Sequence, residues 1–401
     1  MAAQIPAGDK VRFFRESRGL KQSVLARQVG VTEDYISMIE RGIKTPSTTL
    51  LHRLARALGV PTSGLLDEPL THPDTPGNPA IPAIRRALLQ PQITLLPSPP
   101  DLAGLRERVE AAWLLWQAHR RDYIATGRLL PGLITEVETA VRVFQTPAEL
   151  DQRREAHRIA ADLYGLLRTY TKRSGRVDMA VLVADRQHRA AEAADDPIRL
   201  AAAWWNLGHA LLAEGDSEGA ESIAIKAAET LAPQVETDAE FTAMHGALSL
   251  VAVSAAVRNG DRYTATRRLQ ETVQPDASRT GETNVMWTVF GPANVSLHAL
   301  TVAADNGEPS EAIRLADEVN VAHFASAERT FTFHLELARC YEMQHEDHAV
   351  LHELLQAERV SPDDLRFGPS GHELIGALMK RARPSYAAEV RALAARVGTY
   401  R

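Results

Sequence analysis

The 401-residue chain holds a single cysteine, Cys340, so an internal disulfide and any multi-cysteine zinc or iron–sulfur framework are excluded. Aromatic residues amount to only 5%. Alanine recurs throughout, which points to a core of small and aliphatic side chains on helices. No apolar run approaches the roughly 18–20 residues of a membrane span. The opening MAAQIPAGDKVRFFRESRG has no apolar stretch of the secretory kind, so a cytoplasmic protein with no membrane partner is expected. Alternating β-type runs are almost absent. Catalytic signatures are missing too: H-E-x-x-H, G-x-x-x-x-G-K-[ST] and G-x-G-x-x-G do not occur, and no G-x-S-x-G nucleophile elbow frames a Ser/His/Asp trio. Neither an enzyme nor a cofactor is expected. His345, His348 and His352, with Cys340 and Glu346 nearby, are residue types that bind zinc. Because His345 falls in an expected inter-helix turn, the three are read as solvated histidines, and no metal is expected.

The net charge of −6 conceals an asymmetry. Residues 1–66 carry ten Lys/Arg against five Asp/Glu, a balance of +5. The other 35 basic and 46 acidic residues leave −11 on the remainder. A small basic head on a large acidic body indicates that the head alone meets a polyanion.

Composition divides the chain into three stretches. Residues 9–66 hold short amphipathic patterns. Residues 67–100 hold nine prolines and are expected to form a linker, with room for one brief helix over Ala83–Gln90 between Pro82 and Pro91. From 101 to 401 apolar residues recur at helical spacing. Gly175, Gly215, Gly260 and Gly307 punctuate this part at intervals of 40, 45 and 47 residues, each followed five residues later by an alanine (Ala180, Ala220, Ala265, Ala312). The glycine ends one helix in a left-handed conformation. The small alanine lets the next helix approach closely. In 201–233, Trp204, Leu207, Gly208, Ala220, Ala227 and Pro233 stand at nearly the spacing of a tetratricopeptide repeat. A last unit near 331–362 has His345 where its glycine should be.

In the head, LKQSVLARQVGVTEDYISMIERG (20–42) predicts a helix over Gln22–Val29 with Leu25, Ala26 and Val29 inward. Gly30 supplies a left-handed turn residue. Thr32 caps a second helix, Glu33–Glu40, with Ile36 and Ile39 inward. A preceding helix near Asp9–Ser17 buries Val11 and Phe14. A following one over Thr48–Leu58 buries Leu51, Leu54 and Leu58, and a fifth covers Thr62–Leu66.

These residues resemble the lambda-repressor-like, or xenobiotic-response-element, family of helix-turn-helix regulators. The match rests on Arg15, Gln22, Ala26, Gly30, Val31, Ile36, Ile39, Glu40, Gly42, Pro46, Leu54 and Ala55. The resemblance implies that the second helix of the motif enters the DNA major groove and that the protein acts as a homodimer. It implies base contacts from Thr32, Glu33, Asp34, Tyr35, Ser37 and Met38, with Tyr35 and Ser37 favoured because carboxylates are repelled by phosphate. Gln22, Arg27, Arg41 and Lys44 become phosphate contacts, and Arg15 with Glu40 a structural ion pair. Beyond the head, FGPANVSLH (290–298), VAADNG and ERTFTFHLELARCYE look like the body of a group of actinobacterial regulators, and the layout is similar to the peptide-sensing RRNPP regulators. The expected fold is therefore all-α: a five-helix DNA-binding head and a TPR-like α-solenoid.

Solenoids of this kind bind ligands on the concave face lined by the first helix of each pair. The positions expected there are Lys172 and Arg173 with Thr169, then Trp205, Asn206, His209 and Leu212, then Asn294, His298, Leu297 and Thr301. Asn can pair with a peptide bond and Trp205 can offer a flat wall. The expected function is a DNA-binding regulator that responds to a peptide or small-molecule signal. The alternative is a constitutive DNA-bound adaptor that recruits a partner protein.

Overall fold

The computed structural model describes residues 7–18, 20–42, 44, 46, 48–58, 78–90, 100–118, 123–145, 149–324 and 326–399. Among them every regular element is helical. Two compact units separate, Met1–Pro73 and Asp74–Arg401.

The head contains α1 (Ala7–Ser17), α2 (Gln22–Val29), α3 (Glu33–Glu40) and α4 (Thr48–Ala57). Val11, Leu25, Ala26, Val29, Ile36, Ile39, Leu51, Leu54 and Leu58 are buried together, and Phe14 packs against them half-buried. Gly30 ends α2 at φ 68°, the turn that swings α3 across α2. The expected fifth helix, Thr62–Leu66, lies outside the described residues.

The body begins with α5 (Ile81–Leu89), α6 (Leu102–Gln117) and α7 (Tyr123–Val143). Helix pairs follow: α8 (Leu150–Arg173) with α9 (Val177–Ala194), then α10 (Pro197–Glu214) with α11 (Ser217–Leu231). Next come α12 (Ala239–Asn259) with α13 (Arg262–Arg268), which a π turn joins to α14 (Gln274–Thr280). Then α15 (Pro292–Asp305) pairs with α16 (Pro309–Asp317), and α17 (Ala327–Met343) with α18 (Asp347–Val360). The short α19 (Pro362–Phe367), α20 (Pro369–Arg381) and α21 (Ala387–Val397) complete it.

The turn glycines behave as their spacing predicts. Gly175, Gly215, Gly260 and Gly307 have φ of 72°, 94°, 83° and 80°, and Ala180, Ala220, Ala265 and Ala312 are all fully buried. Asp216 and Asp261, directly after their glycines, cap α11 and α13 by accepting from the backbone N–H of Gly219 and Thr264. In the fifth turn His345 itself adopts the left-handed conformation, φ 61°.

Two expectations need correction. The linker stretch 67–100 is not wholly separate from the body. Asn78 donates to the Tyr170 hydroxyl (2.8 Å) and Ser174 Oγ (2.9 Å), and Ile81, Ile84, Ala87 and Leu88 of α5 are buried in the same core as α7 and α8. The docking needs Gly127, since a Cβ there would collide with Ala80 and Tyr170. In addition, α12 is long and apolar enough to cross a membrane, with mean hydropathy 1.4; 78% of that window is buried inside the body, as befits a central core helix.

Parts of the body far apart in sequence touch. The Tyr123 hydroxyl donates to Asp364 Oδ1 at 2.5 Å, and Tyr123 packs on Phe367 with ring centroids 5.7 Å apart. Arg173 joins them, donating to Glu328 (Nε, 3.1 Å) and Asp364 (Nη1, 3.2 Å). The loop before α15 also crosses back to α6: Trp287 stacks on Trp113 at 5.1 Å, held at φ 63° between Met286 (48°) and Val289 (52°).

Candidate nucleic-acid interface and inner face of the body

Thr32 caps α3, its side chain accepting from the Tyr35 backbone N–H at 3.3 Å. Glu33 and Asp34 occupy the first turn, where the positive end of the helix dipole favours carboxylates. With Ile36 and Ile39 turned inward, Thr32, Glu33 and Asp34 are exposed and Tyr35, Ser37 and Met38 half-buried. The Lys44 ammonium sits 5.0 Å over the Tyr35 ring, so these two candidates share one surface. Arg41 Nε donates to Ser37 O at 3.2 Å, and Arg27, Arg41 and Lys44 are exposed. Beneath lies the ion pair. Arg15 Nε donates to Glu40 Oε1 at 2.6 Å and Nη2 to Oε2 at 2.9 Å, with both residues buried. Gln22, placed by the sequence among the phosphate contacts, gives an amide hydrogen to Glu40 Oε2 at 2.6 Å and is half-buried, so α2 is tied to α3 through it.

In the body, groups from the first helices of successive pairs face one another. Lys172 on α8 feels the charges of Arg168, Arg173, Arg258 and Glu328, while His209 on α10 feels Lys172, Arg168, Arg329 and His298. Lys172, His209 and His298 are each only partly buried, and none makes a hydrogen bond or ion pair among the described residues. Burial, reinforced by Arg168, pushes the Lys172 ammonium down to about 7. Burial also holds His209 well below its ordinary value and, with Arg329, pushes His298 down to about 3.

The other expected inner residues serve differently. Arg173 is committed to Glu328 and Asp364. Trp205 is buried, 8% exposed, and offers no open wall: the Arg168 guanidinium lies 5.0 Å over its ring and His209 meets its edge at 4.6 Å. Asn206 is buried and its Oδ1 accepts from Arg168 Nε at 2.5 Å. Asn294 is buried, and its Oδ1 lacks a hydrogen-bond partner among the described residues. Thr169, Leu212 and Leu297 are buried in packing, and Thr301 bonds its own helix through Leu297 O.

A cavity of about 260 Å³ lies elsewhere, lined by Leu88, Glu138, His157, Tyr164 and Arg186 among others. Its polar groups satisfy one another: Glu138 accepts from Tyr164 and from Arg186 (2.9 Å), which also donates to Leu88 O. Among the described residues no three His, Cys, Asp or Glu side chains gather as a metal site. His348 packs on Tyr386 (4.5 Å) and His352 meets Gln356, so the histidines of that segment go separate ways.

Residues 11–65 match the Helix-turn-helix family. An HTH-type transcriptional regulator of Methanothermobacter thermautotrophicus is 49% identical over 49 residues, 12% of this chain and 71% of that protein. The chain belongs to the helix-turn-helix transcriptional regulators. The regulator SinR of Bacillus subtilis is 37% identical over 62 residues, 15% of this chain and 56% of its own length. Over the wider chain, the crystal structure of Bacillus thuringiensis PlcR in complex with the peptide PapR7 and DNA aligns at 12% identity and TM-score 0.34, covering 86% of this chain and 98% of that one. The TPR domain of P58(IPK) aligns at 12% identity and TM-score 0.26, covering 94% and 95%.

The head of this regulator therefore binds DNA. Sequence reasoning missed three inner-face cations, Arg168, Arg258 and Arg329. Arg168 carried a readable signal, standing one helical turn before Lys172 in an otherwise apolar stretch of α8. Arg329 carried none, because it joins the inner face only through the stacking of α17 beside the earlier pairs.

Proposed function

We propose that this helix-turn-helix regulator binds specific DNA as a homodimer and that its solenoid body receives a peptide or small-molecule signal which alters DNA binding. The observation that supports the sensor reading is the inner face: His209 comes near both Lys172 and His298, the three belong to different repeat pairs, and none makes a hydrogen bond or ion pair among the described residues. Polar groups that retain solvent access and lack partners are what a ligand would satisfy.

In the DNA-bound state Tyr35 and Ser37 read base edges, while Arg27, Arg41 and Lys44 grip phosphates. A ligand that binds one arrangement of the body better shifts the population of head spacings matching two half-sites. The test is a DNA titration with full-length protein, with and without small-molecule extract of the host cell. A change in affinity of about tenfold supports sensing. An affinity indifferent to the extract, with a protein partner retained on DNA, supports the adaptor reading. Binding insensitive to salt would overturn both.

A further inference from the structure

We propose that residues 284–289, in the loop before α15, form a strap with two positions: docked and strained as in the structure, or lifted and relaxed. Met286, Trp287 and Val289 stand at φ of 48°, 63° and 52°. Bulky and β-branched residues are disfavoured in this left-handed region, so three of them within four positions store strain in one short segment. Such strain persists only where the surroundings enforce it, and it gathers in segments that switch. The enforcing contacts come from two helices. Trp287 stacks on Trp113 of α6 with the ring planes 3° apart, and Trp113 is itself fixed by donating Nε1 to Asp162 O at 2.9 Å. Gln117 of α6 donates Nε2 to Trp287 O at 3.1 Å and accepts from Asn284 Nδ2 at 2.7 Å. From α17, Arg329 Nη2 donates to Thr288 O at 3.2 Å. A few hydrogen bonds and one indole stack thus oppose three left-handed residues, a near-balance that makes a two-state element.

The base of the strap is anchored and its tip is not. Thr283 donates from its backbone N–H (2.9 Å) and its hydroxyl (3.1 Å) to Phe290 O, which ties the two ends together. Phe290 is fully buried, and its ring fills the space that a Cβ on Gly246 would need. Asn284 is exposed, and Val285, Met286 and Trp287 are half-buried, so the tip swings without the base moving. Lifting uncovers the Trp113 ring and undoes the link that the strap makes between α6 and α17. Arg329 connects the strap to the inner face, since its charge also reaches His209 and His298. That connection, and with it any effect on DNA binding, rests on the reading of the inner face as the signal site.

The experiment is hydrogen exchange of the full-length protein, read by mass spectrometry over the strap. The amides of Trp287, Thr288 and Val289 bond to Asn284 O, Val285 O and Asn284 Oδ1, and relaxing the left-handed angles breaks these bonds. The expected result is faster exchange here than in α12 and α15. Gln117→Ala removes two bonds to the strap and speeds its exchange about fivefold or more. Met286→Gly slows it about two- to fivefold against Met286→Ala, because both lose the side chain and glycine alone accepts the positive φ. Strap amides as slow as those of α12 in every variant overturn the proposal, and so does equal exchange in the glycine and alanine variants. The second readout is affinity for a duplex selected from a random pool. Gln117→Ala against wild type and Met286→Gly against Met286→Ala shift Kd in opposite directions, by about twofold or more, with the head's melting transition unchanged. A Kd indifferent to both, with exchange altered as expected, overturns the strap as a switch. The extract titration on DNA then decides separately whether the sensor reading stands.

Discussion

Replacing Glu40 by alanine isolates the buried ion pair of the head. In the native protein both carboxylate oxygens are used, by Arg15 Nε at 2.6 Å and Nη2 at 2.9 Å, and Oε2 also takes the Gln22 amide at 2.6 Å. Glu40→Ala leaves a guanidinium with only 8% of its residue surface exposed, retaining Leu20 O at 2.8 Å and an outer contact to Glu16. Breaking a buried pair from one side typically costs about 3–5 kcal/mol. A unit of about sixty residues has about 3–9 kcal/mol in total at about 0.05–0.15 kcal/mol per residue. The variant head is therefore expected to be largely unfolded at 37 °C, with specific DNA affinity down by two orders of magnitude or more. Calorimetry of the full chain reads this as loss of the head's transition while that of the body stays in place, an internal control. Arg15→Met combined with Glu40→Met is expected to recover most of the lost stability, because no charge is then stranded. If Glu40→Ala melts like the wild type, or if the double variant is as unstable as the single one, the buried pair is not what holds α1 against α3.

Arg41→Ala is expected to weaken binding to all duplexes and to lower the salt slope by about one, whereas Ser37→Ala should reduce discrimination between sites with little change in slope; filter binding at several salt concentrations separates them. His345→Gly should stabilise the body by about 0.5–1 kcal/mol, since relief of left-handed strain outweighs the added chain entropy; a lower Tm would contradict the turn's assignment. His298 is depressed to about 3 by burial and then by Arg329. The unfolded chain therefore binds the proton more readily, and the neutral imidazole's contribution, present above about pH 6.5, is lost as pH falls toward 3. The Tm of His298→Gln should accordingly decline less steeply than the wild type's between pH about 6.5 and 4.5.

Local signals were legible and long-range ones were not. Helices α2 and α3 fell at their expected residues because Gly30 and Thr32 punctuate them, and the repeat turns followed from four glycines with alanines at a fixed offset. The docking of α5 was obscured by its prolines. The apolar spacing of Ile81, Ile84 and Leu88 marks one helix face, yet a partner surface for it exists only once α7 and α8 are assembled. Trp205 and its neighbour Trp204 were placed by analogy with the tetratricopeptide spacing, which set Trp205 on the open face; Trp205 is in fact the more buried of the two. The bond between Tyr123 and Asp364 spans 241 positions, and no periodic pattern encodes such a pairing.

That last contact changes how the body should yield under load. An open stack of helix pairs has loose ends that fray, so it can peel one unit at a time. Here the hydroxyl of Tyr123 and the guanidinium of Arg173 rivet early helices of the body to late ones, as a clasp joins distant links of a chain. While that clasp holds, the helices between its two sides cannot be peeled away pair by pair.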